Sequence, residues 1–331
     1  MGKLVLSIII LSCFYSCGKT EDEEVRSAIN QAKYYLSALK CSKAQDSLDE
    51  VDFQEDNADY ISTYASAFAC YAGYGEVDIL FGDGGLTTID PSNLFASLAS
   101  FSTSNETTAD SSNYAAINNA ITTLLSFDNA AGTPSAIDRE SKFGTKKAGD
   151  LSMQALYLLF VQLGKHFALY GNKGNDGSKG GDLEGFGNTC IYSYTTEDAV
   201  DYITAGSGSL GSCTAATGSE GSDFLEGITE ALAKERLCRG IIYYNNLIDI
   251  LSNTTLPASD LLGSIGDIGS TFTTLMNTAV AAETGVFNDG DTDGLNAIST
   301  LKDITSQTDC EAVTIERIEK FYAIFFETVY Q

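Results

Sequence analysis

Residues 41–75 read CSKAQDSLDEVDFQEDNADYISTYASAFACYAGYG, and this stretch decides the fold. The polar run Asp52–Asn57 divides it in two. Upstream, Ile29, Ala32, Leu36, Leu39 and Cys41 recur near helical spacing, which predicts a helix from Val25 to Val51. Downstream, an Ala- and Tyr-rich run predicts a second helix from Ala58 to Leu80, ended by Gly73, Gly75 and Gly82-Asp83-Gly84-Gly85. Cys41 and Cys70 lie nearly symmetrically about the polar run. Positions equidistant from the turn of an antiparallel helical hairpin face each other, so these two cysteines are expected to form a disulfide.

The helical period continues outward in both directions. Thr20-Glu21-Asp22-Glu23 forms a T-x-x-E capping box ahead of the first helix. After a Ser/Thr/Asn-rich stretch, Asn113–Phe127 carries Ala116, Ile117, Ala120, Ile121, Leu124 and Leu125 on one face. A loop is expected over 128–148. A long apolar helix then runs from Asp150 to about Tyr170, and its Gln154, Gln162, Lys165 and His166 mark it as a buried core helix rather than a membrane span. Residues 171–222 form a long glycine-rich insertion bearing Cys190 and Cys213, with a short helix over Thr196–Thr204. Further helices are expected from Asp223 to about Leu251 and over 259–283, 292–302 and 310–329, the last behind a second capping box at Thr308-Asp309-Cys310-Glu311. Its stripe of Ile315, Ile318, Tyr322, Phe325 and Val329 suits a closing helix. No stretch alternates with period two for long, so the class is all-α. The expected architecture is antiparallel helical hairpins in an array or bundle.

The N-terminus carries an address. Lys3 and the apolar run Leu4–Leu11 precede Ser12-Cys13-Phe14-Tyr15-Ser16-Cys17, which is similar to the signal of bacterial lipoproteins. The apolar run is too short for a bilayer span, which takes roughly 20 residues. Two cysteines compete for the lipid. Ile10-Leu11-Ser12-Cys13 fits the usual lipobox, while Gly18 and the polar segment after it favour Cys17 as the mature start. The expected organisation is a signal peptide over 1–16, a lipid anchor and tether over 17–25, and a helical domain over 26–331. The resemblance implies residence in the bacterial cell envelope, as an outer-membrane lipoprotein facing the periplasm or the cell surface, with the membrane contacted through acyl chains. Of eight cysteines, lipidation of Cys17 and loss of Cys13 leave six. An even number fits an oxidising compartment. Beyond Cys41–Cys70 the remaining four cysteines allow three pairings; Cys190 and Cys213 flank one short irregular segment and Cys238 and Cys310 sit on two expected C-terminal helices, so Cys190–Cys213 and Cys238–Cys310 are the expected pairs.

The balance of 45 acidic against 19 basic residues, a net charge of −26, repels nucleic acid and excludes it as a partner. His166 is the sole histidine and lies in the most apolar helix, which argues against His-based nucleophilic catalysis or a His-rich zinc site. No P-loop occurs. An enzyme is therefore not expected. Two other features carry chemistry. Asp289-Gly290-Asp291-Thr292-Asp293-Gly294 is D-x-D-x-D-G, in which Asp289, Asp291 and Asp293 can converge on calcium, although Thr300 stands where such loops place a bidentate Glu. Tyr60, Tyr64, Tyr71 and Tyr74 crowd the first hairpin, where large amphipathic rings serve either binding or inter-helix packing.

The hairpin resembles the tetratricopeptide repeat. Lys43-Ala44, Leu48 and Val51, then Asp56-Asn57-Ala58-Asp59-Tyr60, then Ala65, Ala69 and Tyr71-Ala72-Gly73-Tyr74-Gly75 follow that family's order of small and large positions. Asp56 stands where the family often has proline, and no second copy keeps the 34-residue period. The chain thus resembles the tetratricopeptide-like periplasmic lipoproteins, among them those associated with TRAP-type transporters. The resemblance implies a non-enzymatic helical scaffold for a protein, peptide or small ligand, with an envelope protein or transporter as partner. The competing expectation is a calcium-stabilised structural or surface-exposed lipoprotein without a small-molecule site.

Overall fold

The structure, a computed structural model, describes residues 20–74, 111–127, 133–172, 190–204, 213, 227–254, 263–286 and 297–327. The described residues contain helices and no strands, as expected of an all-α protein.

Helix α1 (Glu21–Ser37) starts at the expected capping box: the Thr20 hydroxyl accepts from Glu23 N–H, and the Glu23 carboxylate accepts from Thr20 N–H. Four acidic residues in its first turn complement the positive end of the helix dipole. The helix therefore begins inside the stretch read as a tether. It also stops early. Leu39 adopts a left-handed conformation (φ 54°) and the chain restarts as α2 (Cys41–Leu48), so the single helix expected over Val25–Val51 is two. The bend brings Val25, Ile29 and Ala32 of α1 together with Ala44 and Leu48 of α2 around Tyr60. A straight helix would spread these apolar groups over 24 residues and leave part of them in water. Asn57 then caps α3 (Ala58–Tyr71) by accepting from the N–H groups of Asp59 and Tyr60. Gly73, at φ 82°, ends α3 nine residues before Leu80, because the left-handed turn suits glycine. The Cys41–Cys70 disulfide spans the hairpin with Cα atoms 5.5 Å apart.

Helix α3 serves two cores. One face, with Tyr60 and Ala67, closes the small hairpin cluster, and another, with Ala58, Ile61, Ala65 and Ala69, joins the main core. There it packs on α4 (Ser112–Ser126), which Ser111 caps. The expected loop over 128–148 holds a further helix, α5 (Ala136–Phe143), started by a capping box between Ser135 and Asp138. Gly144, at φ 77°, separates it from α6 (Thr145–Tyr170), which begins five residues ahead of Asp150. Helix α6 is buried along most of its length and packs against α3, α4, α5 and α8 (Glu230–Asn253). Thr229 caps α8, so this helix starts seven residues after Asp223. Helix α7 (Glu197–Thr204) lies within the insertion, close to the short helix expected there.

The C-terminal part comprises α9 (Gly263–Val286), α10 (Ala297–Leu301), α11 (Gln307–Glu311) and α12 (Ile315–Phe321), the last continuing as a π-helical turn over Tyr322–Phe326. The helix expected over 310–329 is thus interrupted between Glu311 and Ile315, and α11 is capped by Ser306 through Asp309 rather than by Thr308. Cys310, which faces Cys238 on α8, is the reason the short helix stays attached. The other two expected pairs are present as well, with Cα separations of 4.9 Å for Cys190–Cys213 and 5.7 Å for Cys238–Cys310. Among the described residues no helix is long and apolar enough to cross a membrane.

Two buried carboxylates dock the insertion on the C-terminal helix. Glu319 accepts from the backbone N–H and the hydroxyl of both Thr195 and Thr196, at 2.7–2.9 Å. It thereby caps α7 from another element. Glu327 accepts from Ile191 N–H at 2.6 Å and from the Tyr194 hydroxyl at 2.9 Å. Hydrogen bonds to a charged acceptor contribute about 1.5–3 kcal/mol each, and stranded donors cost more than the bond itself. Glu319→Ala is expected to release residues 190–204, seen as at least tenfold faster proteolysis of that segment while the helices outside it stay folded. Unchanged cleavage would place the restraint elsewhere.

Candidate functional site: a polar cleft between two helices

Among the described residues, those singled out in the sequence do not assemble into one site. Cys13, Cys17, Asp289, Asp291 and Asp293 lie outside the described residues. Tyr60 is buried and its hydroxyl donates to Leu48 C=O at 3.1 Å; burial above all, and then the neighbouring Tyr64, Asp49 and Asp52, push its pKa up. Tyr64 stacks on Tyr60 with ring centroids 5.7 Å apart and donates to Asp49 at 2.7 Å. Phe53 meets both rings edge-on. These two tyrosines fill the hairpin instead of presenting a surface. Tyr74 turns to the main core, against Tyr157 and with Lys165 Nζ 5.3 Å from its ring centroid. Tyr71 alone of the four is exposed, at 45%.

His166 is completely buried, with Nε2 3.2 Å from the Tyr322 hydroxyl, which itself donates to Leu237 C=O at 2.5 Å. Burial, and to a lesser degree the nearby Arg239 charge, lowers its pKa to about 3. The imidazole is a neutral core group. The unfolded chain protonates it below about pH 6.5 while the folded chain does not, so stability falls on acidification between about 6.5 and 3, by roughly 1.4 kcal/mol per pH unit from this group. As the chain has one histidine, its imidazole resonances report this directly. They are expected to stay unshifted from pH 7.5 to 4.5, and a midpoint near 6.5 would contradict the burial. Cys190, Cys213 and Glu327 lie close enough to share a metal ion, but both sulfurs are consumed in the disulfide and supply no thiolate.

The arrangement that can hold a ligand was not foreseen. Helices α4 and α8 both pack on α6, and between them opens a cleft of about 460 Å³, closed on its third side by residues 305–308 and α11. This is within the size range of small-molecule sites, roughly 300–1,000 Å³. Its floor is a hydrogen-bond node on Tyr243. The Tyr243 hydroxyl donates to Asn118 Oδ1 at 2.9 Å and accepts from Tyr114 at 3.3 Å and from Gln162 Nε2 at 3.4 Å. Gln162 also donates to Tyr114 C=O at 3.1 Å. Burial raises the Tyr243 pKa, so the hydroxyl keeps its proton for Asn118 throughout the physiological range.

The wall is built on α8 and α11. Arg239 pairs with Glu235 one turn earlier on α8. Gln307 Nε2 bridges Glu235 C=O at 2.8 Å and Glu311 Oε1 at 2.6 Å. Asn246 Nδ2 reaches Ile242 C=O at 2.9 Å and Thr305 C=O at 3.2 Å, which fixes the loop ahead of α11. The Cys238–Cys310 disulfide lies directly behind this wall, each cysteine adjacent in sequence to a charged cleft residue. Ile121, Leu125 and Ile242 supply an apolar strip. The internal bonds of the floor and wall hold their polar groups at fixed positions, although Gln162 Oε1 and Asn246 Oδ1 are buried without a partner among the described residues, and this suits binding more than proton transfer. None of these residues sits beside a histidine or thiol within the cleft.

No protein-family model, no curated protein and no solved structure matches this chain.

Two signals for the cleft were legible. Glu235 and Arg239 stand at i and i+4 on a helix, and Asn118 and Asn119 interrupt the Ala/Ile run of α4. Their convergence was not, because it depends on how α4 and α8 straddle α6.

Proposed function

We propose that this chain is a lipid-anchored protein of the bacterial cell envelope whose helical body binds a small polar ligand in the cleft between α4 and α8, without catalysing a reaction on it. The observation that carries the reading is the Tyr243 node: four side chains from three helices commit their hydrogen bonds to one another and so hold the cleft floor rigid before any ligand arrives. Preorganisation of this kind removes part of the ordering cost of binding. Three disulfides support residence in an oxidising compartment. The apolar run before Cys13 and Cys17 supports the anchor, and mass spectrometry of the mature N-terminus identifies which cysteine carries the lipid. The hairpin's likeness to a tetratricopeptide unit supports a scaffold role.

A thermal-shift panel of sugars, amino acids and organic acids tests the binding reading. A compound that binds only the folded state raises stability by RT ln(1 + [L]/Kd), about 2.7 kcal/mol at a hundredfold excess over Kd. At least one compound is expected to raise Tm of the native protein and to leave Thr122→Trp, which fills the exposed mouth of the cleft, unmoved. Equal shifts in both proteins, or none in either, would reject the cleft as the site.

A further inference from the structure

We infer that the occupant of this cleft is an uncharged polyhydroxylated molecule, a mono- or disaccharide; the inference rests on the binding reading above. The charge pattern excludes the alternatives first. The chain carries −26, so an anion approaches against the field of the whole molecule. The cleft offers it one cation, Arg239, already paired with Glu235, while Glu311 adds a second carboxylate. An anion must therefore break the Arg239–Glu235 pair and leave a carboxylate without its partner. A cation is drawn by that field, but Glu235 is already paired with Arg239 and Glu311 already accepts from Gln307, so it must displace an existing bond. An uncharged ligand uses the side chains as they stand.

The polar groups that remain alternate in kind. With Oδ1 committed to Tyr243, Asn118 keeps its amide N–H groups as donors among the described residues. Gln307, with its amide nitrogen committed twice, keeps Oε1 as an acceptor. Thr122 adds an exposed hydroxyl at the mouth that can do either. A row of ligand hydroxyls, each both donor and acceptor, matches such a surface whereas a carboxylate, which only accepts, does not. The Ile121, Leu125 and Ile242 strip then covers the C–H face of a sugar ring, leaving its hydroxyl edge for the amides.

Isothermal titration of the full mature chain with glucose, galactose, maltose and lactose, alongside succinate, glutamate and lysine, tests this. At least one neutral sugar is expected to bind, the charged compounds are not, and Asn118→Ala is expected to weaken the sugar at least tenfold. Circular dichroism melting establishes that this variant is folded; Tyr243→Phe, which retains the ring, is a second variant with the same expectation. If a charged compound binds and the two variants abolish it, the saccharide class is wrong while the cleft reading stands. If a sugar binds equally well to both variants, its site is elsewhere and the inference is overturned. If nothing binds at millimolar concentration, both the inference and the reading it rests on fall.

Discussion

Gly240→Ala is expected to destabilise the protein by about 3 kcal/mol, measured as a lower denaturant midpoint at unchanged m-value. Gly240 lies on the inner face of α8, where a β-carbon would come 2.5 Å from His166 Nε2 and 2.9 Å from its Cδ2, and would overlap the Tyr322 hydroxyl. Both are tips of side chains, so relief would require one of them to swing away. Neither can do so cheaply. The Tyr322 hydroxyl is held by Leu237 C=O, and its ring is enclosed by Tyr192 and Phe326, each with its ring centroid 4.7 Å away. His166 lies 5.0 Å from the Tyr170 ring centroid and within 6.3 Å of that of Tyr243. The same close approach allows α6, α8 and the C-terminal turn to share one buried hydrogen-bonded centre. A loss of less than about 0.5 kcal/mol would mean that the helices do not approach as described.

Removing the Cys238–Cys310 disulfide by a paired change to alanine is expected to cost about 4 kcal/mol. The bond closes a loop of 72 residues, and the chain-entropy relation places loops of this length between about 3 and 4.7 kcal/mol. Alanine avoids burying new hydroxyls, since both cysteines are wholly inaccessible. The local consequence is sharper than the global one. Helix α11 has only five residues, too few to persist alone; this bond and the Gln307 bridge tie it to α8, while Asn245 and Asn246 hold the chain ahead of it. The double variant should therefore lose the third side of the cleft, and with it ligand binding, at temperatures where the rest remains folded. By contrast, the Cys41–Cys70 bond closes a shorter loop of 29 residues and neither cysteine lines the cleft, so cutting it is expected to leave binding intact.

The helical class and the hairpin were legible because they rest on local rules: apolar spacing, the Thr20–Glu23 box, and the symmetry of Cys41 and Cys70 about a polar turn. Errors arose where tertiary packing overrode a local period. The break at Leu39 leaves no composition signal, because leucine is a good helix former; the chain bends there so that Ala44 and Leu48 reach Tyr60. Helix α5 was hidden for a different reason. Its signal, Ser135 with Asp138 at the third helical position, was present, but only eight residues follow and no long apolar stripe accompanied it. The sequence leaves open whether the tyrosines of the hairpin bind or pack, because it shows their number and not their direction. Tyr60 and Tyr64 point into the hairpin, whereas Tyr243, on a different helix, organises the cleft. A cleft drawn from α4, α8 and α11 joins residues up to 193 positions apart, from Asn118 to Glu311, which no local pattern encodes.

Hydrogen exchange with and without the panel compound that gives the largest thermal shift locates the ligand directly. Added protection is expected together in peptides covering 112–126, 235–246 and 305–311, with the hairpin over 41–71 unchanged. Protection confined to the hairpin, or spread evenly over all helices, would contradict a ligand site between α4 and α8.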